Sequence, residues 1–279
     1  MGRSLSDESL RPTENRGTST ERSPRQISQE SRDQDAKSIY RSRGQRYRLN
    51  SDQSKMLQDL GTFRTITANS LRKHLYENND ERFRKDLRSL REQRLLTVRH
   101  GSRANGEYVA LTKAGKELTQ SAIRTNRDQV VYSGIVKQRE LRHDAAIYDV
   151  YQKEARKISK AGGTPKRIVL DFELKKQVNR QLATIQTIPP AERERQRQEI
   201  AEAHGLKIVE GKFQFPDVRI EFESRDQEQC KVDLECVTGH YKARQIAAKQ
   251  AAGFKLYNQD YRGRSAERGE DLIGEVMSL

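Results

Sequence analysis

The sequence predicts an α/β chain (α+β overall) with a disordered N-terminal tail, a winged helix-turn-helix and a second α/β domain, and three observations carry that prediction. Residues 1–44 are rich in Ser, Arg, Glu, Gln and Asp and hold almost no large apolar side chains. From about residue 45, three amphipathic segments precede two short strands joined by a basic, Gly-flanked turn. Beyond residue 200, two stretches alternate apolar and polar residues between helical ones, the period of half-buried strands. At 279 residues the chain has room for a tail and two domains, read here as 1–44, 45–125 and 126–279.

The tail cannot bury enough apolar surface to offset the entropy of ordering it. In the winged helix, Met56, Leu57 and Leu60 give the first helix its apolar face, and Thr67 is a fitting N-cap for a second helix carrying Leu71, Leu75 and Tyr76. Glu77, Asn78 and Asn79 make the turn into the third. There Phe83, Leu87 and Leu90 follow i, i+4, i+7 spacing and face the core, so Arg84, Lys85, Arg88 and Ser89 point outward. A winged helix places this helix in the major groove of DNA, where Arg84 and Arg88 are suited to bidentate contact with guanine or to phosphate. The turn Gly101–Gly106 carries Arg103 at its tip, a cation for the minor groove or a phosphate, and Thr112 caps the next helix.

Charge supports a nucleic-acid partner. The formal net charge is +14, and from Tyr40 to Thr125 there are 19 Lys and Arg against 9 Asp and Glu, a net +10 on the proposed winged helix. Double-stranded DNA is therefore the expected partner. Winged helices often bind as dimers, which adds a homodimer. No apolar run reaches the roughly 18 residues of a membrane span and no signal-peptide core is visible, so a cytoplasmic protein with no membrane partner is expected. Cys230 and Cys236, six apart, read as buried reduced thiols on one strand face rather than metal ligands.

The second domain opens with a long helix, about Arg139 to Ala161, stopped by Gly162 and Gly163. A short strand ("RIVL"), a helix ("DFELKKQVNRQLA") and a charged helix with Pro at its start and Gly205 past its end follow. Val218, Ile220 and Phe222 then share one face of a strand, and Cys230, Val232, Leu234 and Cys236 one face of the next. A helix from about Tyr241 to Tyr257 completes the order. His143, on the long helix, suits either a proton-shuttling role or a hydrogen bond to nearby backbone. No pair of His or Cys has zinc-ligand spacing.

Pro216-Asp217 opening one strand and Asp233-Leu234-Glu235 in the next can set carboxylates side by side across a sheet, a geometry that binds a divalent cation. This pattern resembles the PD-(D/E)xK nuclease superfamily, in which a lysine two residues after the acid positions the attacking water. That position is Val237 here, and Lys242, Gln245 and Lys249 lie on one face of the following helix that could supply the lysine. Asp217, Asp233 and Glu235 are thus the candidate metal ligands, with Lys242 and Lys249 as catalytic candidates.

Taken together, "LGTFRTITANSLRKHLY", "LRSLREQRLLTV", "VALTKAGKEL", "LRHDAAIYDVY", "IVLDFELKKQV" and "FPDVRIEF…VDLECVTG" resemble the replication-relaxation family of bacterial mobile elements, over about residues 46–258. The resemblance implies a winged helix joined to a PD-(D/E)xK-like domain, and the apolar Val237 in this chain points to a degenerate one. The implied role is in replication, transcription control or mobilisation of a plasmid or integrative element, with a replication or mobilisation protein as a further partner. Such a regulator needs no cofactor, whereas the alternative, a DNA nuclease or nickase, needs Mg²⁺.

Overall fold

Polar caps set where the first helices begin. Helix α1 (Ser51–Phe63) starts at Asn50, whose side chain accepts from Gln53 N at 2.8 Å while Gln53 Oε1 accepts from Asn50 N at 3.1 Å, a reciprocal capping box. Thr67 caps α2 (Ala68–Leu75) and Asn79 caps α3 (Asp80–Glu92), each accepting a backbone N–H three residues on. The turn between them uses left-handed Glu77 and Asn78, with φ of 50° and 65°. In this computed structural model the described residues are 36–101, 106–124, 126–135, 140–238 and 241–258.

A three-stranded antiparallel sheet follows the helices, ordered β3 (Ile66–Thr67), β5 (Glu107–Leu111), β4 (Leu96–His100). Gly101 N bonds Gly106 O at 2.8 Å and closes the β4–β5 hairpin; Arg103, at its tip, lies outside the described residues. Thr112 caps α4 (Lys113–Leu118), which widens into a π turn over Thr119–Ile123. Gly115 is required there, because a Cβ would sit 2.2 Å from the Leu95 carbonyl oxygen. Part of the segment read as tail is ordered: β1 (Ser38–Ser42) pairs antiparallel with β2 (Gln45–Leu49) through a turn at Arg43-Gly44. Two short strands of polar and apolar residues are stable here because Tyr47 and Leu49 reach the core. Residues 1–35 of the expected tail lie outside the described residues.

The second part begins with α5 (Leu141–Lys160) and β6 (Thr164–Leu170). Next come α6 (Asp171–Thr184), α7 (Pro190–Ala203) and a small hairpin of β7 (Ile208–Val209) and β8 (Lys212–Phe213). The chain continues through β9 (Val218–Glu223), β10 (Gln229–Val237), α8 (Ala243–Ala251) and β11 (Lys255–Asn258). The sheet runs β11-β10-β9-β6, with β6, β9 and β10 antiparallel and β11 parallel to β10. The helix expected to reach Tyr257 therefore ends at Ala251. Gly253, at φ 86°, turns the chain, and Lys255 and Tyr257 bind the buried Glu154 of α5, which draws the last residues into the sheet.

One sheet face, with Leu170, Val218, Ile220, Leu234 and Cys236, packs in the same buried cluster as Ile147, Tyr148 and Ile158 of α5. Val169 on the other face packs with Leu174 and Val178 of α6 and with Leu206. The α5 cluster also holds the apolar residues of α1 to α4, so one core crosses the boundary expected near residue 125. At that crossing the Phe63 and Tyr148 rings meet edge-on with centroids 5.2 Å apart, and the Tyr148 hydroxyl donates to Asp59 at 2.7 Å. His74 and Ser70 of α2 both bind Asp149 of α5, at 2.9 Å each. The connecting segment is tied down as well: the Gln129 amide pairs with both N and O of Ile168, and Asn126 donates to Lys166 O, along the outer edge of β6. Among the described residues no helix is long and apolar enough to cross a membrane.

Candidate functional site

Two groups of candidate residues can be built up from these elements. On α3, Phe83, Asp86, Leu87 and Leu90 are buried, and the opposite face carries Arg84, Lys85, Arg88 and Ser89 on an open groove of about 760 Å³. Lys37 joins them on the groove wall. Arg84, 74% exposed, pairs with Asp80 at 2.8 Å, a contact that solvent keeps weak and exchangeable. The helix is held from beneath by Asp86, which is 4% exposed. Its carboxylate accepts from Asn50 Nδ2 (3.1 and 3.2 Å), Gln53 Nε2 (2.8 Å) and Tyr76 Oη (3.1 Å). Asn50 and Gln53 are the residues that cap α1, so the capping box also fixes how α3 presents its outer face. Sequence spacing missed Asp86, since a charged residue between Phe83 and Leu90 reads as solvated.

The second group lies where β9 and β10 begin and end side by side. Register pairs Leu234 with Val218 and thereby brings Glu235 beside Asp217. Glu235, 1% exposed, accepts from Asp217 N at 3.2 Å through Oε2 and from Tyr241 Oη and Lys249 Nζ, both at 2.8 Å, through Oε1. Asp217 accepts from Cys236 N at 2.7 Å through Oδ2, and its Oδ1 lies 3.0 Å from His143 Nε2. Lys249 also donates to Phe215 O at 2.6 Å. Burial and the charge of Asp217 raise the Glu235 pKa, against the pull of Lys249 and Tyr241. The hydrogen bond to Asp217 raises the pKa of His143 in spite of burial, and burial beside Glu235 raises that of Tyr241.

Comparison with protein-family models, curated proteins and solved structures finds no match to the chain. The site is therefore read on its chemistry.

Of the five residues expected around a metal, three come together: Asp217, Glu235 and Lys249. Asp233 is directed elsewhere. Arg219, 4% exposed and opposite it in register, grips its carboxylate through Nε (2.6 Å) and Nη2 (2.8 Å), while also donating to the His204 and Gly205 carbonyls at the end of α7. Lys242 sits at the exposed N-cap of α8, where its N–H donates to Gln245 Oε1, and does not reach the acids. Among the described residues the side-chain partner of His143 is Asp217, 74 residues away, rather than backbone of its own helix. Both cysteines are free thiols, Cys236 buried and Cys230 only partly so.

A hard divalent cation needs several oxygen ligands with lone pairs to spare. Here each carboxylate oxygen of Asp217 and Glu235 already meets a protein N–H, hydroxyl, ammonium or imidazole, and among the described residues no group of three or more His, Cys, Asp or Glu converges to hold a metal ion. The residues as arranged do not fit Mg²⁺. Two carboxylates balanced by an ammonium and a readily protonated imidazole form instead an internal ionic lock joining α5, the sheet and α8.

Proposed function

We propose that this protein binds double-stranded DNA, with residues 45–125 acting as a winged helix-turn-helix and α3 as the helix that enters the major groove. The observation that carries the reading is the division of α3 into a buried stripe and an outer face bearing Arg84, Lys85, Arg88 and Ser89, within a stretch, Tyr40 to Thr125, of net charge +10. Two or three helices followed by a hairpin of antiparallel strands is the order such a module needs. The resemblance to the replication-relaxation family extends this to a regulator of replication, transcription or mobilisation in a plasmid or integrative element of the bacterial cytoplasm. The β6, β9, β10, β11 sheet flanked by α5 and α8 is the PD-(D/E)xK-like part of that reading, serving as a scaffold.

A magnesium-dependent nuclease is the second reading. In its favour, Lys249 on the helix after β10 does meet Glu235, where the resemblance implies a displaced lysine. Against it stand the engaged carboxylate oxygens. The deciding experiment titrates the protein against supercoiled plasmid with and without magnesium, reading mobility shift and nicking on one gel. A shift without nicking is expected, and Arg84→Ala with Arg88→Ala should weaken it by about 1–3 kcal/mol for each arginine that bonds a base edge. Unchanged affinity in that double variant overturns the DNA reading. Nicking that chelator and Asp217→Ala both abolish overturns the scaffold assignment.

A further inference from the structure

A second concavity, away from α3, lies between the β7–β8 hairpin and α8. Its volume is about 460 Å³, and its wall includes Lys212, Phe213, Tyr241, Arg244, Gln245 and Lys249. We infer that this groove is a second nucleic-acid site, one that takes a single strand.

Four observations converge on that ligand. First, no residue of α8 is fully buried, and Arg244 and Gln245 on its groove side are exposed. Second, the exposed charges at its mouth are mainly positive: Lys212 has no ion-pair partner among the described residues, and Arg244 is held by Glu210 at 2.6 Å in an exposed pair that a phosphate can replace. Third, the aromatic groups are arranged as wall and platform. Phe213 stacks on Phe215 with centroids 6.1 Å apart and carries the Arg197 guanidinium 5.6 Å from its centre, which makes it a rigid wall. Tyr241 has its hydroxyl fixed to Glu235 at 2.8 Å, and its ring makes no aromatic or cation contact among the described residues, so the ring is held in place to receive a base. Fourth, the volume lies in the range of about 300–1,000 Å³ that encloses a small organic ligand, enough for a base or two and not for a duplex.

Cations tracking a backbone beside a fixed aromatic ring are what sequence-tolerant binding of single strands requires. The ionic lock beneath the groove then has a use: by holding Lys249 and the Tyr241 hydroxyl on one carboxylate oxygen, Glu235 fixes the floor on which the base stacks. This site does not depend on α3 reading a duplex.

The test is fluorescence anisotropy of the full chain with labelled single strands of thymidylate (dT, twelve nucleotides in the probe, roughly the span of one such module) and of the matching ribonucleotide, beside a labelled duplex. Lys212→Glu with Arg244→Glu, both at exposed positions, should weaken single-strand binding by at least about ten-fold and leave duplex binding within about two-fold. Tyr241→Ala should lose about ten-fold, whereas Tyr241→Phe, which keeps the ring but forfeits its anchor on Glu235, should lose only about two- to three-fold. Preference for one sugar over the other tells DNA from RNA, and either supports the site. The inference is overturned if the charge reversal leaves single-strand affinity unchanged, if poly-glutamate displaces the probe as well as an unlabelled single strand does, or if Arg84→Ala with Arg88→Ala abolishes single-strand binding. Duplex affinity untouched by the α3 changes would defeat the winged-helix reading and leave the groove standing.

Discussion

The outer face of α3 and the acid pair between β9 and β10 are both rich in charge, yet they are built on opposite plans. On α3 the cations lie over a buried stripe on an exposed face that they share with Asp80, Glu81 and Glu92, and the Arg84–Asp80 pair is open to solvent. Around Asp217 and Glu235 the ionic groups face inward, and every carboxylate oxygen has an internal partner. Exposed charges cost little to fold and stay exchangeable, so a phosphate can recruit them. Buried charges whose partners are all internal are committed to the fold, because freeing one leaves another without compensation. Availability of the side chain, more than its type, separates a surface that binds from a centre that holds.

The largest expected effect comes from opening the buried centre. Lys249→Met leaves the Glu235 carboxylate without its cation and should cost about 3 kcal/mol in urea unfolding, with Glu235→Gln/Lys249→Met recovering most of it. A cost under about 1 kcal/mol would mean that the carboxylate is hydrated and the centre open, and the contrast with α3 would fail. Next in size is Asp86→Ala, which strands donors from Asn50, Gln53 and Tyr76 and should lose about 2 kcal/mol. Because those donors orient α3, duplex affinity measured well below the melting temperature should fall too; a stability loss with unchanged affinity would separate the support from the face it presents.

The smallest effect concerns Asp59, whose carboxyl is pushed up to about 6 by burial beneath Tyr148. A carboxyl pKa above its unfolded value of 3.8 means the native state prefers the protonated form. Its contribution to stability is therefore present below pH 3.8 and lost as pH rises through about 6. Asp59→Asn keeps an acceptor for the tyrosine and should flatten the stability profile between those limits, raising the melting temperature at neutral pH and leaving it near the parent's at about pH 4. An unchanged profile would show that the core crossing tolerates the ionised group.

The α3 face was legible in the sequence because it depends on one helix and its period: Phe83, Leu87 and Leu90 fix which residues look outward. The caps at Thr67 and Thr112, and the alternation around Ile220 and Val232, were legible for the same local reason. The acid centre was half visible. Asp217 and Glu235 were paired by strand logic, but His143 joins them from 74 residues away, and the choice of Lys249 over Lys242 depends on where α8 begins. Arg219 alternates with Val218 and Ile220 and so falls on the polar strand face, yet its register partner Asp233 and the end of α7 bury it, a contact no local pattern announces. β1 and β11 were missed because tertiary contacts, with the core for Tyr47 and with Glu154 for Lys255 and Tyr257, override weak local preference.

The amides of Asn126 and Gln129 fill hydrogen-bonding positions on the outer edge of β6 that a neighbouring strand would otherwise claim. An open strand edge is a template for edge-to-edge aggregation, so this segment protects the protein while it links two halves. Replacing Gln129 would then show itself less in melting than in solution behaviour, as a tendency of copies to polymerise through β6. The connection works as a selvedge, the finished border that keeps a woven sheet from growing.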